Sequence, residues 1–145
     1  MNVHIECIPC CDSDHGDDLE RLLCERELLG EITLRLERAL IYSSARRADD
    51  WVYVPGGLEA PGEPTWTSME EVEALHARER AVRQAVAKAA EVSDAAAEEV
   101  GRHKRAEGFF RLSEVRAAIA RWAHEIDSID RALAQLAGHG IENAA

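Results

Sequence analysis

The chain has 145 residues, with 17 Lys and Arg against 28 Asp and Glu, a formal net charge of -11. That length fits one domain with a tail, and so acidic a chain lacks the overall basic footprint of a nucleic-acid binder or of a protein that lies on an anionic membrane. Hydrophobic residues make up 46% of the chain, but Leu, Ile, Val and Phe together are only about 22%, just above the range that signals disorder, so folding depends on gathering them into stripes.

In chain order, residues 1–16 form a Cys- and His-containing N-terminal segment, residues 17–137 a helical bundle with a long linker at 49–67, and residues 138–145 a tail opened by Gly138 as a helix stop. In the first segment Cys7 and Cys10 make a C-x2-C pair, with His15 five residues on and Cys24 further along. Thiolates at that spacing reach one tetrahedral zinc ion, and His15 and Cys24 would complete the shell. The second C-x2-C half of the usual pattern is missing, so incidental reduced thiols are the other reading. Cys24 falls on the polar side of the first helix, about 160° from Leu22 at 100° per residue. No basic region followed by an apolar core opens the chain, so no secretory signal is expected and a cytoplasmic location is.

The first helix begins near Asp17, with Glu20 as capping-box partner. Leu19, Leu22, Leu29, Ile32, Leu36 and Leu40 share one side, and Leu23, Leu34 and Ile41 widen the apolar arc beyond it. The linker 49–67 opens on the β-prone run Trp51-Val52-Tyr53-Val54, which predicts at most a short strand. Whether the linker leaves the first two helices parallel or antiparallel stays open.

Ser68 followed by Glu71 is the capping-box signature of a second helix. From there Val72, Leu75, Val82, Val86, Ala89, Ser93, Ala96 and Val100 follow heptad steps that only Glu79 breaks, and Gly101 and Gly108 are candidate stops. A weak break at 106–113 separates this helix from the third, for which Ser113 is a suitable N-cap. Val115, Ile119, Trp122, Ile126, Ile129, Leu133 and Leu136 repeat at 4-3 steps, a coiled-coil stripe. Trp122, a bulky knob, is expected against the Ala/Ser layer of the second helix, and His124 faces away from the stripe. The fold class that follows is all-α: an elongated antiparallel three-helix bundle with coiled-coil-like packing, the second and third helices being neighbours. No stretch of about 20 apolar residues is present, so no transmembrane helix is expected.

Glu73 and His76 make one Glu-x-x-His step, which di-iron bundles use in pairs; the second step is missing. There is no nucleophile elbow, P-loop, G-x-G-x-x-G or H-E-x-x-H. Pro55-Gly56-Gly57 lacks the Lys and Ser/Thr of a phosphate loop and reads as a turn. Arg102-His103-Lys104-Arg105 reads as the cationic end of a helix, opposing its dipole. An enzyme is not expected.

The run Leu19-Glu20-Arg21-Leu22-Leu23-Cys24-Glu25-Arg26-Glu27-Leu28-Leu29, continuing through Leu36-Glu37-Arg38-Ala39, resembles the opening helix of flagellar export chaperones. Glu71-Val72-Glu73-Ala74-Leu75 onward resembles their second helix. The resemblance covers about two thirds of the chain and implies a small, acidic, cytosolic all-α protein that holds a helical segment of a hook-associated subunit until export. The Cys-containing start and the long linker depart from that family. The residues themselves point to a non-enzymatic acidic binding module (an adapter, chaperone or assembly component) that captures a partner helix through Leu23, Leu34 and Ile41. The partner is another protein chain, a second copy or a client, with no direct nucleic acid and no membrane. Two alternatives stand beside it. One is an acidic, phage-type inhibitor that occupies a basic nucleic-acid groove of its target; the other is a small metal-binding helical protein. No cofactor is expected except a structural zinc at the Cys/His cluster.

Overall fold

The computed structural model describes residues 18–61 and 68–144, with side chains through residue 138. In chain order these form α1 (Asp18–Tyr42), β1 (Trp51–Tyr53), α2 (Met69–Val92), α3 (Asp94–Ala106), β2 (Phe109–Arg111) and α4 (Leu112–Ala144). The chain is mostly helical, as its periodicity predicts. The three-helix bundle is replaced, among the described residues, by four helices in two antiparallel pairs on either side of a small β-ribbon.

The first correction is at Ser93, which the heptad reading placed inside one long helix. Its backbone is extended, φ -168° and ψ 160°; its N–H donates to Ala89 O to close α2, and its Oγ accepts from Ala96 N to open α3. Ser93 and Asp94 are a helix-start pair. The Ala-rich seam around them has too little apolar area to hold a straight rod against that signal. The chain reverses there, and α3 runs back along α2 until Lys104 and Glu107 lie beside Arg78 and Val82. Ser68 caps the other end of α2 as its sequence predicts, accepting from Glu71 N at 3.2 Å.

The strands pair antiparallel, Trp51 with Arg111, Val52 with Phe110 and Tyr53 with Phe109. The pairing is prolonged by Val54 N to Gly108 O at 2.7 Å and Leu112 N to Asp50 O at 2.8 Å. Alternation along a strand gives the ribbon two faces. Val52, Val54, Phe110 and Leu112 turn toward α1 and α4, where Leu29, Ile32, Leu36, Ala39, Val115, Ala118 and Trp122 complete the main core. Trp51, Tyr53 and Phe109 turn the other way and pack on Val82 and Val86 of α2. The sequence reading saw a strand at Trp51 but only a break at 106–113. Its partner strand there is three residues long, too short to show alternation by itself. Gly108 makes the turn into it with φ +102°, and a Cβ there would stand 3.2 Å from Tyr53 Cε1 and 3.3 Å from Val54 O. Glycine is required on both counts.

α4 therefore packs on α1 and not on the second helix. Arg26 Nε donates to Asp130 Oδ1 at 2.9 Å near one end, and Ser113 N donates to Ala48 O at 3.0 Å at the other. Trp122 is fully buried, but against α1 and the ribbon, and its Nε1–H donates to Leu58 O at 3.0 Å. His124 is exposed. Gly101 lies inside α3, and α4 starts at Leu112, one residue before the expected cap, and runs through Gly138.

Candidate functional site

The outer face of α1 carries the residues that the sequence singled out. Leu23, Leu34 and Ile41 are separated by 11 and 7 residues, so they lie within about 20° of one another on the helix. They are 50%, 43% and 75% exposed, and Leu19, at the start of the same line, is 45% exposed. The opposite side of α1 supplies Leu29, Ile32, Leu36 and Ala39 to the core. α1 thus has two apolar sides: one meets α4 and the ribbon, and none of the described elements covers the other. At its middle sits Gly30, where an added Cβ would meet only Arg26 Nη1, at 3.6 Å, leaving a shallow notch in the stripe.

Of the residues assigned to zinc, Cys7, Cys10 and His15 lie outside the described residues. Cys24 departs from its expected place on the polar side: it is 7% exposed and disulfide-bonded. A sulfur held in a disulfide is not a thiolate ligand. His76, of the Glu-x-x-His step, donates from Nε2 to Tyr42 O at 2.7 Å and so ties α2 to the end of α1. No cluster of three His, Cys, Asp or Glu side chains arranged for a metal occurs among the described residues.

Two buried charged side chains hold this frame, and the sequence assigned neither a role. Glu79, the residue that breaks the heptad series, is 4% exposed. Its Oε2 accepts from Ser43 Oγ at 2.7 Å and from Tyr53 N at 3.3 Å, and its Oε1 accepts from Ser44 N at 2.8 Å and Ser44 Oγ at 2.7 Å. It thereby caps the chain leaving α1 and covers an edge donor of β1 that no strand partner takes. The signal in the sequence was the break itself, a charged residue where the seam requires an apolar one.

Arg35 is 3% exposed on the core side of α1. Its two terminal nitrogens donate to Pro55 O and Gly57 O, so the Pro-Gly-Gly turn closes over the guanidinium. Desolvation pushes its pKa below the usual arginine value, and its Nε has no partner among the described residues. The turn itself is closed by Gly57 N donating to Val54 O at 3.1 Å, with Gly56 and Gly57 both at φ +88°. Trp122 Nε1 then fixes Leu58, and Arg121 reaches Glu59 at 3.3 Å. The first part of the linker is thus pinned on the α4 side, away from the outer stripe of α1.

No protein family, curated protein or solved structure matches this chain. No described helix is long and apolar enough to cross a membrane.

Proposed function

We propose that this protein is a non-enzymatic helical binding module, an adapter, export chaperone or assembly component, whose outer α1 face receives a helix of another protein chain. The observation that carries the reading is the exposed stripe of Leu23, Leu34 and Ile41, 43–75% exposed along α1, with Leu19 at its start also 45% exposed. Four large apolar side chains aligned on one helix differ from scattered surface leucines, because a single partner helix covers them together. Removing that area from water is favourable by about 25 cal/mol per Å². The described part of the linker is pinned on the α4 side and does not cover the stripe.

The test places a photo-crosslinking residue at Ile41 of the full chain in cells, with the exposed Lys88 of α2 as the comparison site. A discrete adduct from position 41, absent from position 88 and lost on Leu34→Glu, is the expected result, with helical content by circular dichroism unchanged. The same adducts from both positions, or adducts that survive Leu34→Glu, would overturn the reading. Sedimentation of the purified chain separates a second copy from a different partner.

A further inference from the structure

On the other layer, α3 and the ribbon enclose an open cavity of about 350 Å³. Its floor is the Trp51 ring, 3% exposed, against Gly101 of α3. Arg102 and Arg105 reach it from α3 and Arg111 from β2, and Glu98 is the carboxylate that lines it. The three guanidinium groups are not equivalent. Arg105 is gripped by Glu114, its Nη2 2.6 Å from Oε1 and its Nε 3.2 Å from both oxygens. Arg102 is paired with Glu99 on the exposed side of the helix. Arg111 has no carboxylate partner among the described residues. Its guanidinium carbon lies 4.4 Å from the centroid of the Trp51 ring, and its Nη1 donates to Asp49 O at 2.7 Å.

A guanidinium carries five N–H donors in a rigid fork. Here stacking on the indole and one backbone bond fix the plane, and the remaining donors have no protein acceptor among the described residues. Gly101 is one wall of the cavity; glycine within a helix costs about 0.5–1 kcal/mol relative to alanine. A Cβ there would stand 3.6 Å from the Trp51 ring, an ordinary contact, so packing against the ring does not exclude alanine.

We propose that this cavity is a binding site for the phosphate group of a small phosphoester, with Arg111 as its preorganised fork and Arg102 and Arg105 closing on the remaining oxygens. A phosphate presents three oxygens to three guanidinium groups, whereas a carboxylate presents two. The site is independent of the α1 stripe, and it brings three guanidinium groups together on a chain whose net charge is -11.

Inorganic phosphate, titrated into the full chain at constant ionic strength and followed by ¹H–¹⁵N NMR, is the probe. Saturable shifts are expected at the Arg111 Nε–H and at the amides of Trp51 and Gly101. Arg111→Gln should weaken binding at least about tenfold, the loss expected of a hydrogen bond to a charged group. Arg102→Gln, at a side chain 66% exposed and outside the core, should weaken it by roughly two- to fivefold; Lys88→Gln should leave it unchanged. If Arg111→Gln fails to fold, the Arg102→Gln and Lys88→Gln pair decides. Shifts that chloride reproduces, binding indifferent to both arginine substitutions, or succinate binding as tightly as phosphate would overturn the proposal.

Discussion

Replacing Glu79 by leucine tests whether the layers are joined as described. Leucine fits the heptad series better than glutamate does, so pattern alone predicts stabilisation. The structure predicts the opposite. The carboxylate accepts four hydrogen bonds, at 2.7, 2.7, 2.8 and 3.3 Å. Ser43 and Ser44 hydroxyls rotate and find other acceptors, but the N–H groups of Ser44 and Tyr53 are fixed by the backbone. Leaving a buried donor unsatisfied costs about 1–3 kcal/mol, so two orphaned amides cost about 2–6 kcal/mol, less the small gain from burying leucine. A net loss of roughly 1–4 kcal/mol follows. At a urea slope of about 2 kcal/mol/M it lowers the midpoint by on the order of 1 M. Glu79→Gln keeps one acceptor oxygen and turns an amide donor toward other donors, so it should cost roughly 2–3 kcal/mol. In a Ser43→Ala, Ser44→Ala background the penalty for Glu79→Leu should shrink, since the mutations share a network. Strict additivity, or a Glu79→Leu loss below about 1 kcal/mol, would refute the reasoning.

Trp122→Ala should cost roughly 3–5 kcal/mol by urea denaturation, the range for truncating a buried large aromatic, and Trp122→Phe about 1 kcal/mol for the bond to Leu58 O. Gly108→Ala should destabilise by more than about 1 kcal/mol, because φ +102° and the 3.3 Å approach to Val54 O both oppose a side chain; equal stability would mean that the ribbon turn relaxes freely. The Asp50 carboxyl is held below its ordinary value of 3.8, first by the N–H groups of Arg46 and Arg47, each 2.8 Å from Oδ2. A depressed carboxyl stabilises the fold above its unfolded value and loses that contribution as pH falls through the folded one. The stability gap between the parent and Asp50→Ala should thus be flat from pH 7 to 5 and narrow below about pH 4; a gap that widens on acidification would reverse the sign.

What was legible in the sequence follows the length of each signal. The α4 stripe runs for three heptads without exception, and Val115 and Trp122 are indeed fully buried. The Ser68 cap was readable because it depends on two residues in local contact. The break at Ser93 was not, because a small residue satisfies both the seam and the cap, and local pattern ranks neither. The pairing of β1 with β2 joins segments about 60 residues apart, each of three residues, and no local periodicity reports a contact of that kind. The same gap hid the partner of Trp122: a stripe states that a face is buried, not which helix buries it. Of the site, the α1 stripe was visible as excess apolar arc. The Arg111 fork was not, because it exists only once β2 lies beside Trp51.

The ribbon explains why the chain keeps three costly features together. A one-residue slip of β1 against β2 would exchange Val52 and Val54 for Trp51 and Tyr53, driving two large aromatics into the α1–α4 core and two valines toward α2. Ribbon strands of three residues carry too few cross-strand bonds to forbid that slip alone. Gly108 blocks it sterically at one end. Glu79 blocks it by hydrogen bonding, since only the present register brings Tyr53 N within reach of a carboxylate that also holds Ser43 and Ser44. Arg35 blocks it through the turn just beyond β1, whose carbonyls at Pro55 and Gly57 it grips. The best-attested use of a buried charge is to fix register. All three act on the end of the ribbon next to the linker. The other end, at Trp51 and Arg111, is held by Leu112 N to Asp50 O and Ser113 N to Ala48 O, so the ribbon is tied at both ends and Arg111 is presented to the cavity on α3 in a fixed register.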